Sequence, residues 1–295
     1  MEKTAVIAIS TGCLDYLDFT HADLYMLRCK ILLKDAQYDD FTQMNAEQFY
    51  QILRDDPDVV PTSSMPALGE VSDLYETLEK KGYTDAIVVS ISSALSGTYQ
   101  TCLMAKNAFL GELKVHVFDS KNAAISEGFL TIKALKMLET GASAKAVLES
   151  LDKLSLSRKQ YFMVDNLRLL VKNGRLSNAQ GFLGGLLKIK PILAVNESGK
   201  IVPYEKVRTQ RKALEKMADH VIKDLKSLRN FVVTYNTSDN TEGYNYLKSR
   251  IEDAFPNHTY YTAPITPVIG CHTGAGTVGV AYFDLDALIP KRVVY

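Results

Sequence analysis

The sequence predicts an α/β fold of two domains, in which a doubly wound, mainly parallel sheet domain precedes a smaller α+β domain. Two patterns support this prediction. Short apolar runs alternate with helical patterns up to about Arg158, which is typical of a parallel sheet covered by helices. Beyond it, two β runs joined at Asn196–Gly199 indicate an antiparallel hairpin. We therefore expect an N-terminal α/β domain over residues 1–157 and a C-terminal α+β domain over residues 158–295.

The strands of the first half are predicted from runs of apolar and β-branched residues, and one of them alternates with period two, as a half-exposed strand does. The predicted strands are Ala5–Ser10, the alternating Leu27–Leu33, Ala86–Val89 and Lys114–Phe118. Helices are predicted where apolar residues recur every three or four positions. They are Asn45–Arg54, Leu68–Leu78 ended by Gly82, Tyr99–Phe109, Ser126–Leu138 and Ser143–Leu154.

The second half is predicted by the same criteria. Its strands are Tyr161–Val164, Lys190–Val195, Lys200–Val207, Phe231–Tyr235, His258–Thr262 and Val278–Phe283. Its helices are Asn166–Lys172, Gln210–Leu225 and Glu242–Ala254. Gln180–Lys188 holds three glycines among large apolar residues, which indicates close approach of another helix or of an apolar ligand. Pro264 and Pro267 mark a loop before a glycine-rich turn that carries His272 and Thr273.

Composition excludes some classes of function. Lys and Arg number 34, as do Asp and Glu, so net charge gives no reason to expect a nucleic-acid or membrane-surface partner. The four cysteines lie far apart, without zinc-like spacing, and are expected to be buried or free thiols. No signal peptide is recognisable, and no segment approaches the roughly 20 apolar residues of a membrane span. We expect a cytoplasmic protein with at most transient membrane contact.

Two clusters of hydroxyl residues mark the candidate site. In the first, the apolar run Ala86–Val89 changes abruptly into a turn that contains Ser93, Ser96 and Gly97, and a helix follows. Turns at the carboxyl ends of parallel strands often bind ligands, and free N–H groups at a helix start favour an anion. The alternative is that Ser93 or Ser96 only caps the helix.

The second cluster, Pro61–Pro66, also precedes a predicted helix and contains Thr62 and Ser63. Here too the alternative is helix capping, by Ser63 or Ser64. Two such clusters in one α/β unit favour a ligand site over two separate caps.

A search for catalytic motifs finds no nucleophile elbow, phosphate-binding P-loop, HExxH or GxGxxG. The chain offers neutral donors, the positive group of Arg175 and many apolar side chains. These groups suit a carboxylate held by hydrogen bonds, with its tail in an apolar slot. Binding is therefore favoured over turnover.

Several motifs, read in order, resemble those of the DegV-like family. PTSSMP (61–66), VSISSALSGTYQ (89–100) and VDNLRLLVKNGRLSNAQGFLGGLLKIKPIL (164–193) carry the resemblance, and EKVRTQRKAL (205–214) and CHTGAGTVGV (271–280) resemble later blocks. The family often has Asp in the turn after its first strand, where this chain has Ser10. The resemblance implies a two-domain fold that buries one long-chain fatty acid between its domains.

The resemblance also implies a role as the fatty-acid-binding subunit of a bacterial fatty acid kinase, within phospholipid metabolism. A separate ATP-binding subunit would phosphorylate the acyl carboxylate, so this chain would need no cofactor or metal and no catalytic residue of its own. By motif, Thr62, Ser93, His272 and Thr273 are expected to contact the carboxylate. The expected supporting residues are Ser63, Ser96, Gly97 and Arg175, and Arg208 is the expected docking residue for the kinase.

Two alternatives belong to other classes of function. The first is a stand-alone enzyme that acts on a small phosphorylated or acyl substrate at the same turns, with His272 as general base. The second is a regulatory protein for which the lipid is a signal.

Overall fold

Three β-sheets organise the protein, and the computed structural model describes them over residues 3–176 and 190–288. The strands are β1 (Thr4–Ile9), β2 (Leu24–Leu27), β3 (Lys30–Leu33), β4 (Ala36–Asp39), β5 (Thr62–Ser64), β6 (Asp85–Ser90), β7 (Lys114–Asp119), β8 (Lys159–Met163), β9 (Ile192–Val195), β10 (Ile201–Glu205), β11 (Phe231–Ser238), β12 (Thr259–Pro264) and β13 (Thr277–Asp284). The helices are α1 (Ala46–Asp55), α2 (Leu68–Lys80), α3 (Thr98–Ala108), α4 (Ile125–Glu139), α5 (Ala144–Ser157), α6 (Arg168–Lys172), α7 (Gln210–Leu225), α8 (Thr241–Glu252) and α9 (Pro267–Thr273). The glycine-containing stretch Gln180–Lys188 lies outside the described residues.

The first sheet is parallel throughout, with strand order β2-β1-β6-β7. Its central strands are buried on both faces: Ile7 and Val88 belong to the core that includes α2, whereas Val6 and Ile87 belong to the core formed with α4 and α5. This explains why these strands are continuous apolar runs instead of alternating ones. The predicted doubly wound, mainly parallel sheet is confirmed.

The prediction of one strand over Leu27–Leu33 is wrong. Leu27 ends β2 in the parallel sheet, whereas Ile31 and Leu33 lie on β3, in a separate antiparallel sheet of order β4-β3-β5. Between the two strands, the backbone N–H of Cys29 donates to Ser10 Oγ (3.2 Å). The alternation continues across the break because both strands turn these side chains toward the same core. Side-chain period therefore did not reveal the change of sheet.

The second sheet is mixed, with order β10-β9-β8-β13-β11-β12 and one parallel pair, β11 with β12. The predicted hairpin is confirmed as β9 and β10, joined by a turn in which Gly199 has φ of +76°. Its core includes side chains from α7 and α8. The first sheet takes its strands from residues 4–119 and the second from residues 159–284. The division at residues 157 and 158 remains a prediction.

Helix α9, near the C-terminal end of the sequence, packs against elements of the N-terminal half. Its Val268 and Cys271 lie in the same core as Phe49 of α1, and the hydroxyl of Tyr50 donates to the carbonyl of Ile265 (3.0 Å). The prediction of a loop and a flexible turn here is wrong up to Thr273, because Pro267 begins a helix and positive φ starts only at Gly274. His272 therefore lies on a helix.

A buried carboxylate holds the start of α9. Asp40 Oδ1 accepts from the hydroxyl of Thr266 (2.7 Å) and from the N–H of Val268 (3.2 Å). Thr266 precedes the helix, and its own side chain makes no capping bond. A residue 226 positions away thus satisfies a donor of the first turn.

The cysteines are all buried and form no disulfide, as expected. Burial raises the pKa of the Cys102 thiol to about 12. Within residues 3–176 and 190–288, no helix is long and apolar enough to cross a membrane.

We expect Asp40→Ala to lower the free energy of unfolding by about 1–3 kcal/mol, since it leaves two buried donors without an acceptor. Asp40→Asn keeps an amide oxygen at the same place and should cost less. Urea unfolding monitored by circular dichroism measures both. Equal losses for the two variants would show that the cap contributes nothing specific.

Candidate functional site

A cavity of about 300 Å³ lies between the hydroxyl turn of residues 91–97, the residues around β5 and helix α9. Its polar side is formed by Ser63, Ser96, Arg175 and His272. Its apolar walls include Met65, Ile91, Leu95, Ile201, Val268 and Ile269. Most of the predicted site residues thus meet at one place, although they are separated by up to about 200 positions in the chain.

Ser63 and His272 form the central contact, with 2.8 Å between Ser63 Oγ and His272 Nε2. Burial lowers the pKa of His272 to about 4, and the nearby positive charge of Arg175 adds to the effect. The imidazole is therefore neutral at pH 7, with one ring nitrogen as donor and the other as acceptor. His272 Nδ1 is buried and has no hydrogen-bond partner among the described residues. Within residues 3–176 and 190–288, this ring nitrogen is therefore free to bond a ligand.

Arg175 brings positive charge to the cavity. Its Nε donates to the carbonyl of Leu95 (3.1 Å) and its Nη1 to the carbonyl of Asn173 (2.5 Å). The Asn173 side chain in turn donates to the carbonyl of Cys271 on α9 (2.8 Å). Over residues 3–176 and 190–288, no carboxylate pairs with Arg175. The guanidinium is therefore held by neutral groups, and its charge is available to an anion.

Hydrogen bonds to the second sheet and to the start of α3 hold the turn after β6. Ser92 Oγ donates to the carbonyl of Gly199 (2.9 Å), which ties the turn to the hairpin of the second sheet. Ser96 Oγ accepts from the N–H of Thr98 (3.3 Å) and lies 2.9 Å from Thr98 Oγ1. Gly97 precedes α3 directly, so Ser96 contributes to the helix start while also lining the cavity. Capping and ligand binding are not exclusive at this turn.

The capping alternative for the second cluster is wrong. Ser63 and Ser64 lie on β5, paired with β3, and helix α2 begins after Ala67. The backbone N–H of Ala67 donates to the Glu70 carboxylate (3.0 Å) instead. The β5 serines are therefore available to the cavity, which both of them line.

Thr62 and Ser93 are exposed, and neither is among the described residues that line the cavity. Ser93 Oγ donates to Asp119 Oδ2 (2.5 Å), and its backbone N–H donates to the other carboxylate oxygen (3.1 Å). Thr62 precedes Ser63 and accepts from Cys271 Sγ through its carbonyl (3.4 Å). Both residues thus lie close in sequence to lining residues, and their contact with a carboxylate remains a prediction.

The remaining predicted residues differ in position. Thr273 is buried, lines the cavity and donates from Oγ1 to the carbonyl of Ile269 (3.4 Å). Gly97 also lines the cavity. Arg208 is exposed and lies two residues before α7, away from the cavity. Its proposed role in docking does not require contact with the ligand.

Sequence reasoning missed Thr11 and Glu127. Thr11 lines the cavity and donates to Glu127 Oε1 (2.8 Å), whose carboxyl is completely buried at the start of α4. Burial raises the pKa of Glu127 well above its usual range. The only signal in the sequence was the polar turn at Ser10–Gly12, which does not identify a partner 116 positions away.

The arrangement suits an anion with an apolar tail. A neutral imidazole, hydroxyl groups and an arginine that donates to backbone carbonyls can hold a carboxylate, and the apolar walls can enclose a chain. Among the described residues, no group of three or more His, Cys, Asp or Glu side chains could hold a metal ion.

Comparison with known proteins identifies the family. The model of the DegV family, described as "Uncharacterised protein, DegV family", matches residues 3–285. The chain belongs to the DegV family. A DegV domain-containing protein of Staphylococcus aureus (strain COL) is 36% identical over 287 residues, covering 94% of this chain and 96% of the relative. The family resemblance read from the motifs is confirmed.

Two solved structures show the same fold as this DegV family member. DegV from Bacillus subtilis, described as a fatty acid binding protein, has a TM-score of 0.87 at 28% identity, covering 96% of this chain and 100% of that one. A fatty acid binding DegV family protein from Streptococcus agalactiae has a TM-score of 0.88 at 29% identity, with coverage of 96% and 99%.

The low pKa of His272 predicts a pH dependence of stability. Between pH 6.5 and pH 4 the unfolded chain binds a proton at this residue and the folded protein does not, so acidification favours unfolding. His272→Gln removes this contribution. Its free energy of unfolding should fall less than that of wild type between pH 7 and pH 4, by up to about 3 kcal/mol. Urea titrations at several pH values measure the difference, and parallel profiles would contradict the buried neutral imidazole.

Proposed function

We propose that this protein binds one long-chain fatty acid in the cavity and presents its carboxylate to a separate kinase, which forms the acyl phosphate. The observation that carries the proposal is that Ser63, His272 and Arg175 line the same cavity as several apolar side chains. Two relatives with the same fold are described as fatty acid binding proteins. The chain itself would act as a carrier and not as an enzyme.

The binding free energy would come from both ends of the ligand. Each buried CH₂ group contributes about 0.8 kcal/mol, so an acyl chain gives ample affinity once it is enclosed. Hydrogen bonds to an ionised carboxylate are stronger than neutral ones, and the Arg175 charge strengthens them further. The carboxylate would lie near the polar side of the cavity, where we place Thr62, Ser93, His272 and Thr273 as its contacts. Ser63, Ser96, Gly97 and Arg175 would support them.

A contact by Ser93 requires a change of hydrogen bonding. In the structure its hydroxyl donates to Asp119, and a carboxylate ligand would compete with that acceptor. The exposure of Thr62 and Ser93 supports a head group that is accessible from outside, as transfer from ATP by another protein demands. In that step a carboxylate oxygen attacks the γ-phosphorus and ADP leaves. Arg208, exposed ahead of α7, is the proposed docking residue for the ATP-binding subunit.

The stand-alone enzyme remains a second candidate because Ser63 and His272 are in direct contact, as a nucleophile and its base would be. Its weakness is chemical. A histidine whose pKa lies at about 4 is a poor general base at pH 7, and no carboxylate orients its Nδ1 in the described part of the chain. ATP-independent turnover of acyl or phosphate esters by the purified chain would favour this candidate over the carrier.

Arg175→Ala should weaken binding of a long-chain fatty acid about 10- to 100-fold, because a charge-assisted hydrogen bond contributes about 1.5–3 kcal/mol. Arg175→Lys keeps the charge and should recover part of the affinity. Mass spectrometry of the native protein and of its organic extract measures the retained lipid, and a displacement titration gives the affinity. Ser249→Ala, at an exposed position of α8, is the control. Wild type that neither carries nor takes up fatty acid would refute the carrier.

Arg208→Ala should leave fatty-acid binding within about twofold of wild type while abolishing ATP-dependent acyl-phosphate formation with the cognate kinase subunit. The acyl phosphate is trapped with hydroxylamine as the hydroxamate, and complex formation is followed by size-exclusion chromatography. Arg229→Ala changes another exposed arginine, beyond the end of α7, and should retain activity. Full activity of Arg208→Ala would place the docking surface elsewhere. If lipid binds but no kinase subunit uses it, the regulatory alternative is favoured.

A further inference from the structure

A second, smaller cavity lies beside the first one, on the side of the second sheet. It measures about 60 Å³, and five residues line both spaces: Leu95, Ala123, Ile201, Ile269 and Thr273. These shared walls place the two spaces side by side, with the smaller one nearer the strands of the second sheet. We call the smaller space the inner compartment.

Beyond the shared walls, both polar and apolar residues line the inner compartment. Gln160, Asn236 and Thr277 line it together with Phe162 and Val195. Asn236 and Thr277 have partners of their own: Asn236 Nδ2 donates to the carbonyl of Ala263 (3.2 Å), and Thr277 Oγ1 donates to the carbonyl of Thr273 (3.2 Å). Gln160 is held less well, since its Nε2 donates to the carbonyl of Ala123 at 3.4 Å, and its Oε1 is buried without a partner among the described residues.

Gln160 also separates the interior from the surface. Gln160 and Val195, neighbours across β8 and β9, line both the inner compartment and an open surface groove of about 620 Å³. Leu156 and Tyr204, both strongly exposed, line the same groove. Gln160 and Val195 are therefore part of the partition between the inner compartment and an exterior groove that both polar and apolar residues line.

We propose that the acyl chain extends from the first cavity into the inner compartment and that Gln160 is the specificity-determining residue that limits its length, an inference that depends on the proposed fatty-acid binding. The inner compartment is large enough for a water molecule, which can satisfy Gln160 Oε1. A chain that reaches Gln160 displaces the water and leaves the amide oxygen unpaired, which is unfavourable. A still longer chain meets the partition itself. The polar amide and the volume of the Gln160 side chain thus both weaken the binding of long acyl chains.

The test is a competition among saturated fatty acids of 14 to 22 carbons at equal concentration, with the bound species quantified by native mass spectrometry. Wild type should show a length beyond which binding falls sharply. Gln160→Ala removes this side chain from the partition, so the chains two and four carbons beyond this limit should gain at least 10-fold relative to the preferred one. Gln160→Leu keeps the bulk but removes the amide. It should keep the limit and bind the longest accepted chain about threefold better.

Two further variants make the result decisive. Tyr204→Ala alters the groove but not the inner compartment, and should keep the wild-type length profile. Gln160→Ser gives a second small side chain at the partition, should Gln160→Ala fail to fold. A length profile within twofold of wild type for the folded small variant would overturn the inference while leaving the carrier intact. Failure of wild type to bind any of the fatty acids would overturn both.

Discussion

The contact between Asp40 and the start of helix Pro267–Thr273 is the constraint on which the rest of the site depends. It joins a loop beside the small antiparallel sheet to a helix that follows a strand of the second sheet. Burial raises the pKa of Asp40 to about 6, so the carboxylate is held at a cost that its hydrogen bonds to Thr266 and Val268 offset only in part. The free-energy cost of burying Asp40 is tolerated because this carboxylate fixes the helix that places His272 beside Ser63.

The helix held in this way makes the cavity a composite of distant segments. Leu95 comes from the turn after a parallel strand, Ile201 from the hairpin of the second sheet, and Thr273 from the helix itself. Ser92, which donates to the Gly199 carbonyl, fixes the turn to the hairpin at the other side. Each segment is anchored by a hydrogen bond to a segment remote in sequence, so the shape of the cavity depends on contacts across the fold.

Electrostatics at the site are local and not a property of the whole chain. With equal numbers of acidic and basic residues, the protein has no net charge to attract an anion from a distance. At the cavity, however, Arg175 is held by carbonyl groups, and burial keeps His272 neutral. One positive charge accompanied by neutral donors and acceptors matches a single carboxylate better than a dianion. The carrier proposal is consistent with this balance.

The sequence by itself determined the local elements and the family. Continuous apolar runs identified the two central parallel strands because these are buried on both faces, and Asn196–Gly199 identified the hairpin, in which Gly199 adopts a positive φ. Tertiary structure alone decided what depends on distant partners. The segment Leu27–Leu33 divides between two sheets, and Ser63 lies on a strand facing a histidine 209 positions away. Asp40 caps a helix where the sequence indicated a loop. Hydrophobic periodicity and secondary-structure propensity depend on residues that are neighbours along the chain. The division of Leu27–Leu33, the Ser63–His272 contact and the cap by Asp40 depend instead on contacts between residues that only folding brings together.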